Sequence, residues 1–483
     1  MKTKIREEKM LIAGEWISGD KTFQVVNPQN NQVIANVPSA SPQDMIRAID
    51  EAEEVFQHLS SWATHERINV LNRAADYIEE HHETFSETIA LEGSKTITEA
   101  RGEVKRTAQT LRISAEEARR LKGETINFDQ KEGSENRAGY QYRFPIGIIG
   151  AITPFNDPLN LVAHKVGPAL AAGNPVIVKP ASMTPLSALL LAKAFAHAGV
   201  PKGFLSVVTG SGREIGEPLV TSPKVKMISF TGGLVAGEKI AHQAGLKKIS
   251  MELGSNSPVI VLNDACLSEA VTASVSGAFS AAGQNCIGVQ RIFVESSVYD
   301  KFLQSFVERT KELQVGDKMS EWTDMGPMIA EKEAMRVEDW VQEAVYDGAV
   351  IEAGGRRDGA FFEPTVLSNV SHHSMVYKEE VFGPVVIIEP VKGLKEAVKY
   401  SNEVDYGLQA GIFTKNLDHA FYAIQHLHVG GVMVNDSSDY RIDEMPFGGV
   451  KGSGLGREGV RHAMMEMSDP KVVCFKLSQP WGA

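Results

Sequence analysis

At 483 residues the chain is too long for one hydrophobic core, so two or three domains are expected. Its 43% apolar and 23% charged residues exclude a disordered or fibrous chain, and a formal charge of −12 argues against a nucleic-acid partner, which needs a concentrated basic surface. The three cysteines, Cys266, Cys286 and Cys474, show neither CxxC spacing nor a His/Cys cluster, which leaves no disulfide framework and no metal site and suits a reducing compartment.

Met1–Met10 mixes Lys, Arg and Glu without an apolar run, and no later stretch is long and apolar enough to span a bilayer. A cytoplasmic protein with no membrane partner is expected. Leu11–Trp16, Phe23–Pro28 and Val33–Val37 read as short strands. A helix follows, with Ser41 as cap, Pro42 at its first position, Asp44 completing a capping box, and Met45, Ile46, Ile49, Ala52, Val55 and Phe56 as its apolar stripe. Two or three more amphipathic helices occupy Thr64 to Leu121.

From Ile146 the pattern becomes apolar strand, turn, helix. The strands are Ile146–Gly150, Pro175–Val178, Leu205–Val208 and Val225–Phe230, with helices at Thr184–His197 and near Glu214–Leu219 and Val235–Gln243. Continuous apolar strands alternating with helices predict a Rossmann-type doubly wound α/β domain, with its ligand at the strand carboxyl ends. A second alternation runs through Pro258–Leu262, Ile292–Val294, a helix at Val298–Lys311, Ala349–Ile351 and Val385–Ile388, predicting a second α/β domain.

Between Pro258–Leu262 and Ile292–Val294 lies the run Ser280–Arg291. A small-residue helical approach (Val275, Gly277, Ala278, Ala281, Ala282) enters a Gly-Gln-Asn-Cys turn that presents Cys286 where backbone can approach a ligand. Cys286 reads as a nucleophile, although a lone thiol is more often an inert core cysteine, so its surroundings must decide. Thr231–Gly237 follows a strand and opens a helix, which suits a pyrophosphate, and equally an ordinary tight turn. Lys179 ends a strand, where it can reach ribose or phosphate or simply be solvated.

Seven segments together resemble the NAD(P)-dependent aldehyde dehydrogenase superfamily. They are Thr153–Asn156, Val178–Ala181, Phe230–Gly232, Met251–Gly254, Gly283–Cys286, Glu380–Pro384 and Pro446–Gly454, in the family's order and spacing over nearly the whole chain. The resemblance, closest to the lactaldehyde and semialdehyde branch, implies an NAD(P)-binding domain at 1–122 and 143–252. It also implies a catalytic domain at 253–452 and a small β oligomerisation arm at 123–142 and 465–483, giving a homodimer or homotetramer. A terminal edge strand left unpaired would be a liability, so an oligomer also makes physical sense.

The resemblance further implies the chemistry. Cys286 as thiolate attacks the aldehyde, Asn156 and the Cys286 backbone N–H hold the oxyanion, hydride passes to the nicotinamide, and Glu252 activates water against the thioester. Phe155, Lys179, Ser182, Gly232, Gly233, Glu380 and Phe382 fall on the cofactor side. Ser182 stands where strongly NAD-preferring members carry Glu, so the repulsion of a 2'-phosphate is absent and the cofactor is NAD or NADP.

Arg106 is expected on the substrate tunnel and Arg441 as a second anchor, both suited to a carboxylate, phosphonate or sulfonate. Asp157 opposes a doubly charged substrate unless it pairs with Arg106, and Asn285 lacks the basic side chain of some phosphate-handling members. A small polar or singly charged aldehyde, of the lactaldehyde, sulfolactaldehyde or semialdehyde type, is therefore expected to be oxidised to its acid. Two alternatives are acyl transfer to coenzyme A, whose practitioners commonly lack the base at position 252, and a binding or structural protein on the inherited fold, which predicts loss of Cys286, Asn156 or Glu252.

Overall fold

A computed structural model describes residues 5–58 and 62–480. Positions 1–4, which open the charged N-terminal stretch, and 481–483, which end the segment assigned to the arm, lie outside the described residues.

The first sheet has eight strands. Five parallel ones form its centre, in the order Lys248–Glu252, Val225–Thr231, Ile148–Ile152, Val176–Lys179, Leu205–Val207. Their residues alternate between two cores: Ile149, Ala151, Val176 and Val178 face one layer of helices, while Ile148, Ile177 and Ile228 face the other. Burial on both faces is why these strands read as unbroken apolar runs. Chain order reverses between Ile148–Ile152 and Val225–Thr231, so a crevice opens at the carboxyl ends of these two strands, the usual ligand position in an open α/β sheet.

Several sequence expectations changed. Leu11–Trp16 is not one strand but a hairpin, Met10–Ile12 with Glu15–Ile17, turning through Ala13 (φ 52°) and Gly14 (φ 84°). Two residues at positive φ match the right-handed twist of the strands they join. In the helix Pro42–His58 the Ser41 and Asp44 side chains cap each other's amides (3.2 and 2.8 Å). Its buried face is Met45, Ala48, Ile49 and Ala52, whereas Ile46 points outward, one position off the i, i+3, i+4 rows. The helix Asn160–Ala172, buried at every residue, has no polar face and so no periodic signal.

The second sheet runs Val350–Ala353, Thr365–Ser368, Val385–Val391, Val289–Glu295, Ser257–Val261, Gln409–Phe413, Gly431–Val434, parallel except at the first strand. Cys286, ahead of the strand Val289–Glu295, and Glu380 and Phe382, ahead of Val385–Val391, line one cavity with Thr231 and Glu252 at the carboxyl ends of first-sheet strands. The short strand Gly454–Leu455 returns to the first sheet beside Lys248–Glu252. A third sheet pairs Ser468–Lys476 with Arg137–Pro145 from Ser468↔Pro145 to Lys476↔Arg137, and Glu124–Thr125 lies on its far side. Among the described residues no helix is long and apolar enough to cross a membrane.

Candidate active site

Two cavities meet where the sheets face each other, and Cys286, Asn156, Leu161 and Gln284 line both. Cys286 reaches this junction through an unusual turn. The helix Leu267–Phe279 ends, and Ala281, Ala282 and Gly283 all take positive φ (51°, 55° and 69°). For the two alanines this costs on the order of 1–2 kcal/mol each. A side chain on Gly283 would sit 2.2 Å from the Gly383 carbonyl oxygen, so the turn is pressed against the Glu380–Gly383 loop. Glu99 accepts from the Ala281 amide (2.7 Å), and the Gln284 side chain donates to the Ala281 carbonyl (3.0 Å) and accepts from the Ile329 amide (2.9 Å). These bonds compensate the strain.

The larger cavity, about 570 Å³, lies in the crevice of the first sheet. Phe155, Gly232, Gly233, Glu252, Glu380 and Phe382 line it, together with Met183, Arg336 and Trp340, which sequence reasoning did not single out. Phe155 and Phe382 meet edge to face with ring centres 5.6 Å apart. Glu380 accepts from the Ser255 amide (2.8 Å), and burial pushes its carboxyl up to about 7. Lys179 and Ser182 do not line this cavity, although their neighbours Ala181 and Met183 do. Lys179 folds back on the Pro180 carbonyl (2.9 Å), and burial pushes it down to about 8; Ser182 donates to the Gly210 carbonyl (2.9 Å). A crevice with aromatic walls, an amide-held carboxylate and a buried cation nearby whose only hydrogen bond to a described residue is to the Pro180 carbonyl fits a dinucleotide.

Glu252, at the end of its strand, is buried, and neither carboxyl oxygen has a partner among the described residues. Burial and nearby Glu458 push it well above the carboxylate range, against the opposing charges of Arg441, Lys165 and Arg457. Behind it Lys165 and Glu458 form a buried ion pair (2.7 Å) that no sequence motif announced. Burial likewise pushes the Cys286 thiol up, opposed chiefly by Arg441.

The smaller cavity, about 280 Å³, holds the four residues assigned to substrate, Arg106, Asp157, Asn285 and Arg441. Asp157 does not pair with Arg106, the arrangement that would have relieved its opposition to a doubly charged substrate. Asp157 pairs with Lys95, which also bonds Glu103 (2.8 Å), while Arg106 pairs with Asp443 (2.9 Å). Lys95 enters from the loop ahead of the helix Ile97–Arg120 and so comes closer to Asp157 than Arg106 does. Although burial opposes it, His164 (2.8 Å) and Arg106 hold Asp443 well below the usual carboxylate range. Asn285 donates to Asp439. Asp439 and Asp443 flank Arg441 in one loop, a spacing visible in the sequence whose convergence on the cavity was not.

Arg441 differs from the other cations. Its guanidinium lies 3.7 Å above the Phe447 ring and 3.7 Å from Glu458, its Nε and Nη2 lack hydrogen-bond partners, and its side chain is buried. A cation held this way beside a thiol suits an anionic ligand. Thiol, side-chain amide, isolated carboxyl and arginine thus border one junction, a set able to form and cleave a bond between sulfur and an acyl carbon.

Residues 16–473 match the aldehyde dehydrogenase family. The 3-sulfolactaldehyde dehydrogenase of Priestia aryabhattai is 46% identical over 98% of this chain and 99% of its own. Among solved structures, aldehyde dehydrogenase 21 from Physcomitrella patens in complex with succinate superposes with a TM-score of 0.96 at 41% identity, covering 98% of this chain and 99% of that one. The NADP-dependent glyceraldehyde-3-phosphate dehydrogenase of Bacillus halodurans, complexed with NADP, superposes at 0.95 and 39% identity, covering 98% and 100%.

Proposed function

The chain belongs to the aldehyde dehydrogenase family and is an enzyme that oxidises aldehydes with NAD or NADP, and we propose that its substrate is a small aldehyde bearing one negative charge, of the sulfolactaldehyde or semialdehyde type. The observation that carries this reading is Arg441, whose side chain lines the cavity that also holds Cys286, makes no hydrogen bond to any described residue and comes no nearer than 3.7 Å to the Glu458 carboxylate. Arg106 and Lys95 enter the same cavity already hydrogen-bonded to carboxylates, whereas Arg441 stands 3.7 Å from Glu458, which Lys165 already pairs, so Arg441 is the least compensated of the three. A singly charged carboxylate or sulfonate matches that balance better than a phosphate monoester.

Cys286 adds through sulfur to the aldehyde carbon. The oxyanion that forms is held by the Asn156 side-chain amide, which makes no hydrogen bond to another described residue, and by the Cys286 backbone N–H. Arg441, which opposes the rise of the thiol's pKa, favours the thiolate that this step requires. When bound, NAD(P)+ supplies the acceptor for the hydride that leaves the adduct as a thioester. Phe155, Phe382 and Glu380 hold its nicotinamide end, Gly232 and Gly233 leave room for its pyrophosphate, and Lys179 serves its adenosine ribose. Ser182 places no carboxylate there, which supports acceptance of NADP. Glu252 takes a proton from the water that cleaves the thioester, and its presence favours water over coenzyme A. Because Cys286 must stay a free thiol, we assign the enzyme to the reducing cytoplasm.

The test is turnover of sulfolactaldehyde and succinic semialdehyde against neutral aldehydes of similar size, followed by reduced-cofactor absorbance. Arg441→Leu should raise KM for the anionic aldehydes about 100-fold, and for neutral ones less than about threefold. An equal rise for both removes Arg441 as the anchor, and hydride transfer by Cys286→Ala removes Cys286 as the nucleophile.

A further inference from the structure

Asp439 lines the substrate cavity with Cys286 and Arg441, and nothing in the proposed mechanism uses it. Its Oδ1 accepts from the Asn285 amide, one residue before the nucleophile. Its Oδ2 makes no hydrogen bond to any described residue and is not sealed from the cavity. The loop that carries it can approach because position 277 is glycine: a side chain there would lie 3.0 Å from Ser437 Oγ and 3.1 Å from Asp439 Cβ. A carboxyl is thus held one hydrogen bond from the residue preceding Cys286, with one oxygen free.

We propose that Asp439 is a specificity residue that recognises a hydroxyl on the carbon next to the aldehyde, so that the enzyme prefers 2-hydroxyaldehydes to their deoxy analogues. The inference rests on Cys286 as the point of attachment: once the carbonyl carbon is on sulfur, the adjacent carbon is held one bond further out in the cavity that Asn285 and Asp439 also line. A free carboxyl oxygen that finds no donor in the protein finds one in a substrate hydroxyl, and a site built around such a bond discriminates against the analogue lacking it. The charged and titratable groups facing Asp439 are Asp157, Arg106 and Glu99, with the Asn285 amide bonded to it. Burial and Asp157 push Asp439 up to about 7, so near neutrality it is only partly ionised and repels the anionic end of the substrate less than an ordinary aspartate would.

The experiment compares kcat/KM for two pairs, sulfolactaldehyde against 3-sulfopropanal and lactaldehyde against propanal, in the wild type, Asp439→Ala and Asp439→Asn. Taking each ratio between proteins cancels the different intrinsic electrophilicities of the aldehydes. The expected result is a hydroxyl preference that falls about tenfold in Asp439→Ala and is largely restored in Asp439→Asn, which keeps an oxygen acceptor. Unchanged ratios, or an equal loss on both members of each pair, overturn the proposal. So does a wild-type preference for an amino over a hydroxyl substituent. If neither sulfonated aldehyde is oxidised, the anionic reading fails by itself, and the lactaldehyde pair still decides the role of Asp439.

Discussion

At the scale of single residues, the site is defined by groups denied their usual partners. Glu252 has no hydrogen bond at either oxygen, and burial with Glu458 nearby raises it, so its protonated form persists to higher pH than an ordinary glutamate's. A raised carboxyl pKa means that the base form appears only as pH rises through that raised value. Thioester hydrolysis should therefore climb with pH above the ordinary carboxylate range. Rapid-mixing measurements should show this rising limb in the wild type. In Glu252→Gln they should show a burst of one reduced cofactor per site, followed by a steady rate lower by about 10²- to 10⁴-fold. A wild-type profile flat with pH would sink the base assignment. These residues were legible because each sits in a short motif, whereas Lys95, Asp439 and Asp443 were not, since each acquires its meaning from a partner far away in sequence.

At the scale of elements, the decisive feature is the turn Ala281–Gly283. Two alanines in the left-handed region are unfavourable by themselves, and the turn persists because Glu99, in the first turn of the helix Ile97–Arg120, accepts from the Ala281 amide. Glu99 also completes a capping box with Thr96, so one carboxylate fixes both a helix start and the approach to Cys286. Glu99→Ala leaves the Ala281 amide without its acceptor, a cost of about 1–3 kcal/mol. The expected outcome is a kcat lowered about 10- to 100-fold with KM little changed, and slower alkylation of Cys286 by iodoacetamide. Retention of wild-type kcat would show that the turn holds without Glu99. The small residues ahead of Cys286 predicted a tight approach, but their dihedral angles follow from Gln284, Ile329 and Gly383, which reach the turn only in the folded chain.

At the scale of the whole molecule, the strand Ser468–Lys476 forms an edge of the third sheet with no strand beyond it among the described residues, with Val472 and Phe475 exposed, and Tyr142 and Phe144 exposed on the strand beside it. An edge of this kind, bearing large apolar side chains, calls for a covering surface, and we infer that a second copy of this chain provides it. Sedimentation should find a dimer or tetramer for the wild type and a smaller species for a Val472→Asp, Phe475→Asp double variant; identical sedimentation would dissociate the arm from assembly.

The sequence by itself determined the α/β class, the doubly wound arrangement, and the thiol, amide, carboxyl and glycine-rich segments of the site, because each rests on local periodicity or on residues adjacent in the chain. Arg106 and Arg441, which it singled out together, line one cavity. Only the tertiary structure decided how charges pair there. Lys95 rather than Arg106 neutralises Asp157, Asp443 neutralises Arg106, and Arg441 is left over a phenylalanine ring without hydrogen-bond partners at Nε and Nη2. Ion pairing depends on distances of a few ångströms between side chains tens to hundreds of residues apart, and strand order and loop packing set those distances.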